Sequence, residues 1–272
     1  MSAERLVPEL LGPGRGDVTA PVARANPVAK LGVSVVVSFV LLLTVDAVTA
    51  GTALLLELLA LPWCGLGPGA LLRRCWVILA GALPAGLVTA VFGVDGGARL
   101  VALGPLTVTE GSSTSGIAIA LRILAIGLPG VVLLATTDPT DLADALGQIL
   151  RLPARFVLSA LAALRLFGVL AQEWQALTHA RRARGLGDDG PLGRARTVVG
   201  QLFALLVLAI RRGTVLATAM ESRGFGASDR RTWARPSRLG RGDVLLLAGG
   251  VAVGAVATAA GVLAGTWRLL LT

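Results

Sequence analysis

Residues 116–136 read GIAIALRILAIGLPGVVLLAT, with Arg122 as the only charge, and residues 137–150 behind them read TDPTDLADALGQIL. An apolar run of that length meets the roughly 20 residues a helix needs to cross a hydrocarbon core. The polar stretch opens with Asp138 ahead of Pro139, an N-cap followed by proline at the first helical position. Asp141 then adds a carboxylate where the exposed N–H groups and the positive helix end favour it. A membrane span is therefore followed at once by a helix of soluble character.

The same signals recur on either side. Asn26 and Pro27 in NPVAKL read as a helix start, after which LGVSVVVSFVLLLTV (31–45) and AVTAGTALLLELLAL (47–61) form a tight hairpin turning near Asp46. Each run gives about 22 Å of helix, a little short for a span. WVILAGALPAGLVTAVFG (76–93) and VLLLAGGVAVGAVATAAGVLAG (244–265) complete a set of about five spans. Pro84 and Pro129 should bend their helices by removing a backbone bond and clashing one turn back. The Gly and Ala content of the last span suits close helix approach. Glu110 is expected to cap the fourth span. The fold class is all-α: a polytopic membrane bundle with a cytoplasmic helical domain.

Composition agrees. Hydrophobic residues make up 54% of the 272, the mean hydropathy is +0.77, and there is no tyrosine. The net charge of +9 is carried by arginine, since Lys30 is the only lysine. In a membrane protein such charge suits anionic lipid or an acidic protein partner rather than nucleic acid. Residues 1–30 lack the basic start and short apolar core of a signal peptide, and residues 1–25 are expected to be a flexible segment. Cys64 and Cys75 flank a short loop and read as apolar fillers rather than a disulfide.

Orientation follows the arginines. With the N-terminus in the cytoplasm, the inner loops hold Arg73, Arg74 and sixteen arginines from Arg151 to Arg241, and the outer segments hold Arg99 and Arg268. The resulting division is residues 1–25, four spans in 26–136, a cytoplasmic domain in 137–242, and the last span with the C-terminus in 243–272.

Within 137–242, Pro153 ends the first helix. A second runs from about 154 to 184 with Phe156, Ala160, Leu164, Phe167, Ala171, Trp174 and Leu177 on one face and Arg165, Gln172, Glu173 and Gln175 on the other. A third spans about 195–223. It is apolar enough to suggest a sixth span, but crossing would strand a basic cluster outside, so it reads as lying at the membrane surface or under the bundle. Both long helices end alike: Ala183-Arg184-Gly185 in ARGLG and Ser222-Arg223-Gly224 in SRGFG. Gly in the left-handed C′ position and Arg at the negative helix end explain the pattern locally. Its repetition, with a small residue before each Arg and a bulky apolar residue and a second Gly after it, suggests two plugs for two equivalent sockets.

At this point the chain resembles the transmembrane T component of energy-coupling factor transporters, the CbiQ/EcfT family. The resemblance rests on NPVAKL, TVTEG, ALRIL, LLATTDPTDLADAL, RLPARFVLSALAALRLFGVLAQEWQAL, ARRARGL and RRGTVLATAMESRGFG followed by RRT. It implies long coupling helices whose Ala-Arg-Gly-like ends sit in grooves of two ABC-type ATPase subunits, the same or different, and another surface that holds a small substrate-binding S component. Carried over, the ATPase-coupling residues are Ala183, Arg184 and Gly185, then Ser222, Arg223 and Gly224, with Ser222 departing from the usual Ala. The protein would be a non-catalytic scaffold in the cell membrane of a prokaryote, without a cofactor, serving uptake of a vitamin or a transition-metal ion.

Other chemistry is sparse. There is no GxxxxGK[ST] loop, so the chain is not expected to hydrolyse ATP. His179 is the only histidine, and Asp188-Asp189 reads as a solvated turn, so neither a metal site nor a catalytic set is expected. Glu57 and Arg122 lie within spans and form a candidate intramembrane polar pair. On these two residues rests the alternative of a self-contained secondary transporter or channel, for which no repeat of the spans speaks. The basic stretch RRTWARPSRLGR (230–241) suits anionic lipid headgroups.

Overall fold

The computed structural model describes residues 20–44, 46–93, 96, 98–103, 106–185, 190–226, 233 and 235–267. The expectations for residues 1–19, Leu186, Asp188-Asp189, residues 230–232 and Arg268 lie outside the described residues. The chain divides into two compact units, one of Pro13–Asp138 with Ser237–Thr272 and one containing Pro139–Pro236. The elements in chain order are α1 (Pro21–Arg24), α2 (Pro27–Leu43), α3 (Ala47–Ala60), α4 (Pro68–Phe92), β1 (Arg99–Leu103), β2 (Leu106–Thr109), α5 (Glu110–Thr136), α6 (Pro139–Gln148), α7 (Ala154–Ala183), α8 (Gly190–Ser222) and α9 (Arg241–Leu263).

The bundle unit starts as its caps dictate. The Asn26 side chain accepts from the Val28 N–H at 3.0 Å with Pro27 at the first position. Asp46 caps α3, accepting from the Thr49 N–H at 2.8 Å and the Thr49 hydroxyl at 2.7 Å. The cap of α5 differs from expectation. Thr109 and Ser112 form a reciprocal capping box, while Glu110 sits exposed in the first turn. Between α4 and α5 the backbone forms an antiparallel hairpin, Leu103 opposite Leu106, which the hydropathy pattern did not disclose because the strands are only a few residues long.

Lipid tails are as apolar as leucine, so the helices are held by close packing rather than by a hydrophobic drive. The packing is close where glycines meet. A Cβ on Gly86 would lie 2.8 Å from the Gly116 carbonyl oxygen, and one on Gly116 would lie 2.5 Å from that of Gly86. Thus α4 and α5 touch backbone to backbone. Along α9, Gly250, Gly254, Ala257 and Gly261 form the buried face, and Val37, Leu41, Ala50, Ala53 and Ala125 complete the core with Ala257. The outside is apolar: Leu87, Phe92, Leu134 and Leu245 are all exposed, as befits a surface facing lipid.

Polar clamps tie helix ends together. Buried Asp243 accepts from the Asn26 N–H at 2.6 Å and from the Gly240 N–H at 2.7 Å, joining the starts of α2 and α9. Buried Lys30 donates to the carbonyl oxygens of Ala23 and Thr136, each at 3.0 Å, and so neutralises the last carbonyls of α5.

Among the described residues, six helices are long and apolar enough to cross a membrane: Ala47–Cys64, Gly69–Phe92, Glu110–Thr136, Ala154–Ala183, Ala195–Ser222 and Arg241–Leu263. Four of the five expected spans are among them, and Pro27–Leu43 is a shorter apolar helix. The other two are α7 and most of α8. The protein is an all-α polytopic membrane protein.

Candidate functional site

The second unit is built around α6, α7 and α8. Arg151 takes a left-handed turn (φ 53°) before Pro153, which ends the run of α6 and starts α7. Ala143 and Leu146 of α6 pack on Val157 and Leu161 of α7. The buried residues of α7 are not those of the Phe156 series. Phe156, Ala160, Leu164 and Phe167 are exposed, and the residues next to two of them are the buried ones. α7 is apolar nearly all round in its first half, so spacing alone cannot choose which stripe meets a neighbour. The polar face is the one that meets α8: Glu173 forms an ion pair with Arg212.

The helices α7 and α8 run antiparallel. Arg181 donates to the Thr197 carbonyl at 3.0 Å and Gln201 donates to the Thr178 hydroxyl at 3.4 Å, joining the end of α7 to the start of α8. At the other extreme, Arg155 in the first turn of α7 donates to the Gly226 carbonyl at 2.7 Å, just past the end of α8. The two Arg-Gly ends therefore lie at opposite ends of the pair. From Arg155 to Arg184 the helix rises roughly 40 Å at 1.5 Å per residue.

Both ends have the expected cap. Gly185 (φ 70°) donates its N–H to the Arg182 carbonyl at 3.0 Å, and Gly224 (φ 78°) donates to that of Glu221 at 2.9 Å. At the second end the Phe225 N–H also reaches the Met220 carbonyl at 3.0 Å, completing a Schellman motif. Positive φ is what makes glycine necessary here, since a Cβ at either position would meet nothing within 4 Å. Open space also means that a partner can approach the backbone closely. Ala183, Arg184, Gly185, Ser222, Arg223 and Gly224 are all exposed. The hydroxyl of Ser222 donates to the Ala219 carbonyl at 3.0 Å, so this departure from alanine is satisfied within its own helix.

Glu57 and Arg122 are not brought together as a pair. The Arg122 guanidinium donates to the Leu42 carbonyl at 2.7 Å and lines a small cavity with Asp46 at the start of α3. Glu57 lies eleven positions beyond Asp46, about 16 Å along the helix, buried and with both carboxylate oxygens unpartnered among the described residues. His179 is exposed, and the described residues contain no group of His, Cys, Asp and Glu able to hold a metal ion. Cys64 and Cys75 are free thiols. The clasp residues Arg155 and Gly226 escaped the sequence reading, because nothing local links positions 71 residues apart.

Residues 20–233 match the CbiQ family, described as cobalt transport protein. Similar proteins carry the name energy-coupling factor transporter transmembrane protein EcfT. That of Leuconostoc gelidum subsp. gasicomitatum is 34% identical over 142 residues, 49% of this chain and 53% of its own. That of Limosilactobacillus fermentum is 31% identical over 202 residues, 68% of this chain and 71% of its own. That of Heliobacterium modesticaldum is 29% identical over 231 residues, 80% and 84% of the two chains. The chain thus spans about half the length of the first of these relatives and more of the other two. Both Arg-Gly ends fall inside the matched region, and six helices among the described residues are able to cross a membrane. The chain therefore belongs to the CbiQ/EcfT family.

Proposed function

We propose that the chain transmits ATP-driven motion from two ABC-type ATPase subunits to an S component, driving uptake of a vitamin or a transition-metal ion. The observation that supports this reading is the placement of two Arg-Gly ends, each with glycine at positive φ, at opposite ends of one antiparallel helix pair. A guanidinium is a rigid planar fork that matches a carboxylate, and in a partly dry groove such a charge-assisted pair is about twice as strong as a neutral one. The glycine after it removes the side chain that would hold the helix end off its partner.

Two plugs roughly 40 Å apart suit two sockets on a pair of ATPases. Closing of that pair moves the sockets, and helices clasped to one another pass the motion on as levers. Residues 137–242 are then the cytoplasmic coupling domain, the N-terminus is cytoplasmic as well, and the bundle sits in the cell membrane of a prokaryote. ATP hydrolysis belongs to the partners. Ala183, Arg184, Gly185, Ser222, Arg223 and Gly224 are the ATPase-coupling residues. Charge reversal at Arg184 and Arg223, with co-purified ATPase and uptake as readouts, tests the reading. Normal uptake by the double variant overturns it.

A further inference from the structure

The indole of Trp233 lies on α6. A Cβ at Gly147, one residue short of the end of that helix, would stand 2.8 Å from the indole Cζ2 and nearer still to Cη2, so the ring covers bare backbone. Gly147 is not at positive φ, and a glycine inside a helix weakens it relative to alanine. No turn asks for glycine at 147; the close approach of the indole does. Two residues on, the Arg235 carbonyl accepts from the Gln148 side-chain amide at 2.8 Å. The Arg235 guanidinium stands 3.9 Å from the Asp141 carboxylate in the first turn of the same helix. That ion pair is exposed and adds little by itself. The half-buried indole, large and rigid, is the anchor of this strap.

Chain order decides what the strap joins. It follows the second Arg-Gly end, where Arg155 at the start of α7 already holds the Gly226 carbonyl. α6 packs on the same root of α7, Ala143 and Leu146 against Val157 and Leu161. Only residues 137–138 separate α6 from the span α5. The second end is thus mounted on α6 and α7 together, and α6 continues directly from a span. The first end is tied to the start of α8, through Arg181 and Thr197. The two ends have like caps on unlike mounts. Closely packed side chains pass a displacement on rather than absorb it, so the mount decides where motion goes.

We propose that Trp233 is a positioning residue of the coupling machinery. Seated on Gly147, it fastens the chain leaving the second Arg-Gly end to α6, and so makes that end the one through which motion reaches the bundle. The inference rests on the ATPase-coupling reading above.

The test uses the full chain with its co-purified ATPases in nanodiscs, Cys64 and Cys75 replaced and spin labels placed at the exposed positions 87 of α4 and 245 of α9. Label separation is measured without nucleotide and with ATP and vanadate. The wild type is expected to show a nucleotide-dependent shift. Trp233→Ala should lose most of that shift while co-purified ATPase stays within about twofold of wild type, since no socket contact is removed. Trp233→Phe should keep most of it. Gly147→Leu, which lifts the ring while leaving it in the chain, should act like Trp233→Ala and decides the matter if that variant does not fold. Adding Trp233→Ala should deepen the loss in Arg184→Glu and change nothing further in Arg223→Glu, because only the second end works through the strap. A full shift in Trp233→Ala and Gly147→Leu overturns the proposal, as does loss of ATPase in step with loss of the shift, or the absence of any shift in the wild type. Absence of ATPase from the wild-type chain overturns the coupling reading itself, and shows before any variant is compared.

Discussion

Arg155, in the first turn of α7, donates to the carbonyl of Gly226 just beyond α8, at 2.7 Å. This bond spans 71 residues of sequence and ties the second Arg-Gly end to the root of the neighbouring helix. The first end has a matching tie, from Arg181 in the last turn of α7 to Thr197 near the start of α8. Each Arg-Gly end is thus anchored to the helix that carries the other, as the proposed coupling role requires.

Removing the first of these ties should loosen one plug without removing it. Arg155→Ala is expected to weaken ATPase association about fivefold, the worth of a net hydrogen bond near 1 kcal/mol. Membrane insertion should be unchanged, and Arg155→Lys should recover part of the loss. Co-purification of tagged chain with its ATPases measures it, and wild-type binding by Arg155→Ala would show the clasp to be idle.

Charge reversal at the plugs should act more strongly. Arg184→Glu or Arg223→Glu is expected to weaken attachment at its own socket by roughly ten- to hundredfold. The intact second plug masks part of that by keeping the partner near. The double variant should lose uptake while still inserting and folding, because both residues are exposed at helix ends.

The α4–α5 contact makes a prediction about stability alone. Gly116→Ala places a methyl 2.5 Å from the backbone oxygen of Gly86 and should cost about 1–3 kcal/mol as an overpacked contact. Gly81→Ala in α4 meets nothing within 4 Å and should stabilise by up to about 1 kcal/mol through helix propensity. Unfolding temperatures in detergent should move in opposite directions.

The clamp at the starts of α2 and α9 should also be costly to break. Asp243→Ala strips the half-buried Asn26 N–H and the exposed Gly240 N–H of their acceptor, at about 1 kcal/mol for each net hydrogen bond lost. Asp243→Asn, which keeps one acceptor oxygen, should lose less. Hydrogen exchange at Asn26 and Gly240 reads the opening directly.

Orientation can be tested by cysteine labelling in a background where Cys64 and Cys75 are replaced. Position 99 should react with an impermeant reagent in intact cells, and position 182 should react only after lysis. Labelling of position 182 from outside would place the helix pair on the wrong side for cytoplasmic ATPases.

Much of this architecture is written in short-range signals. Asn26-Pro27, Asp46 and the glycines after Arg184 and Arg223 act within one turn of themselves, so their caps and left-handed turns follow from the local residues. The apolar runs of the bundle likewise declare themselves by length, because a hydrocarbon core demands it. Other features were settled only when the chain folded back on itself. Arg122 took the Leu42 carbonyl rather than Glu57, a choice between partners that depends on how α5 lies against α2 and α3. In α7 the buried residues are Val157 and Leu161 rather than the Phe156 ladder, since a helix apolar on most sides carries no preferred stripe. The antiparallel pairing of α7 and α8 sets the Arg-Gly ends apart through bonds between residues as distant as 155 and 226. Local chemistry therefore determined each helix and its end, and tertiary packing decided which faces meet, because a helix specifies its own backbone bonds but not its neighbour.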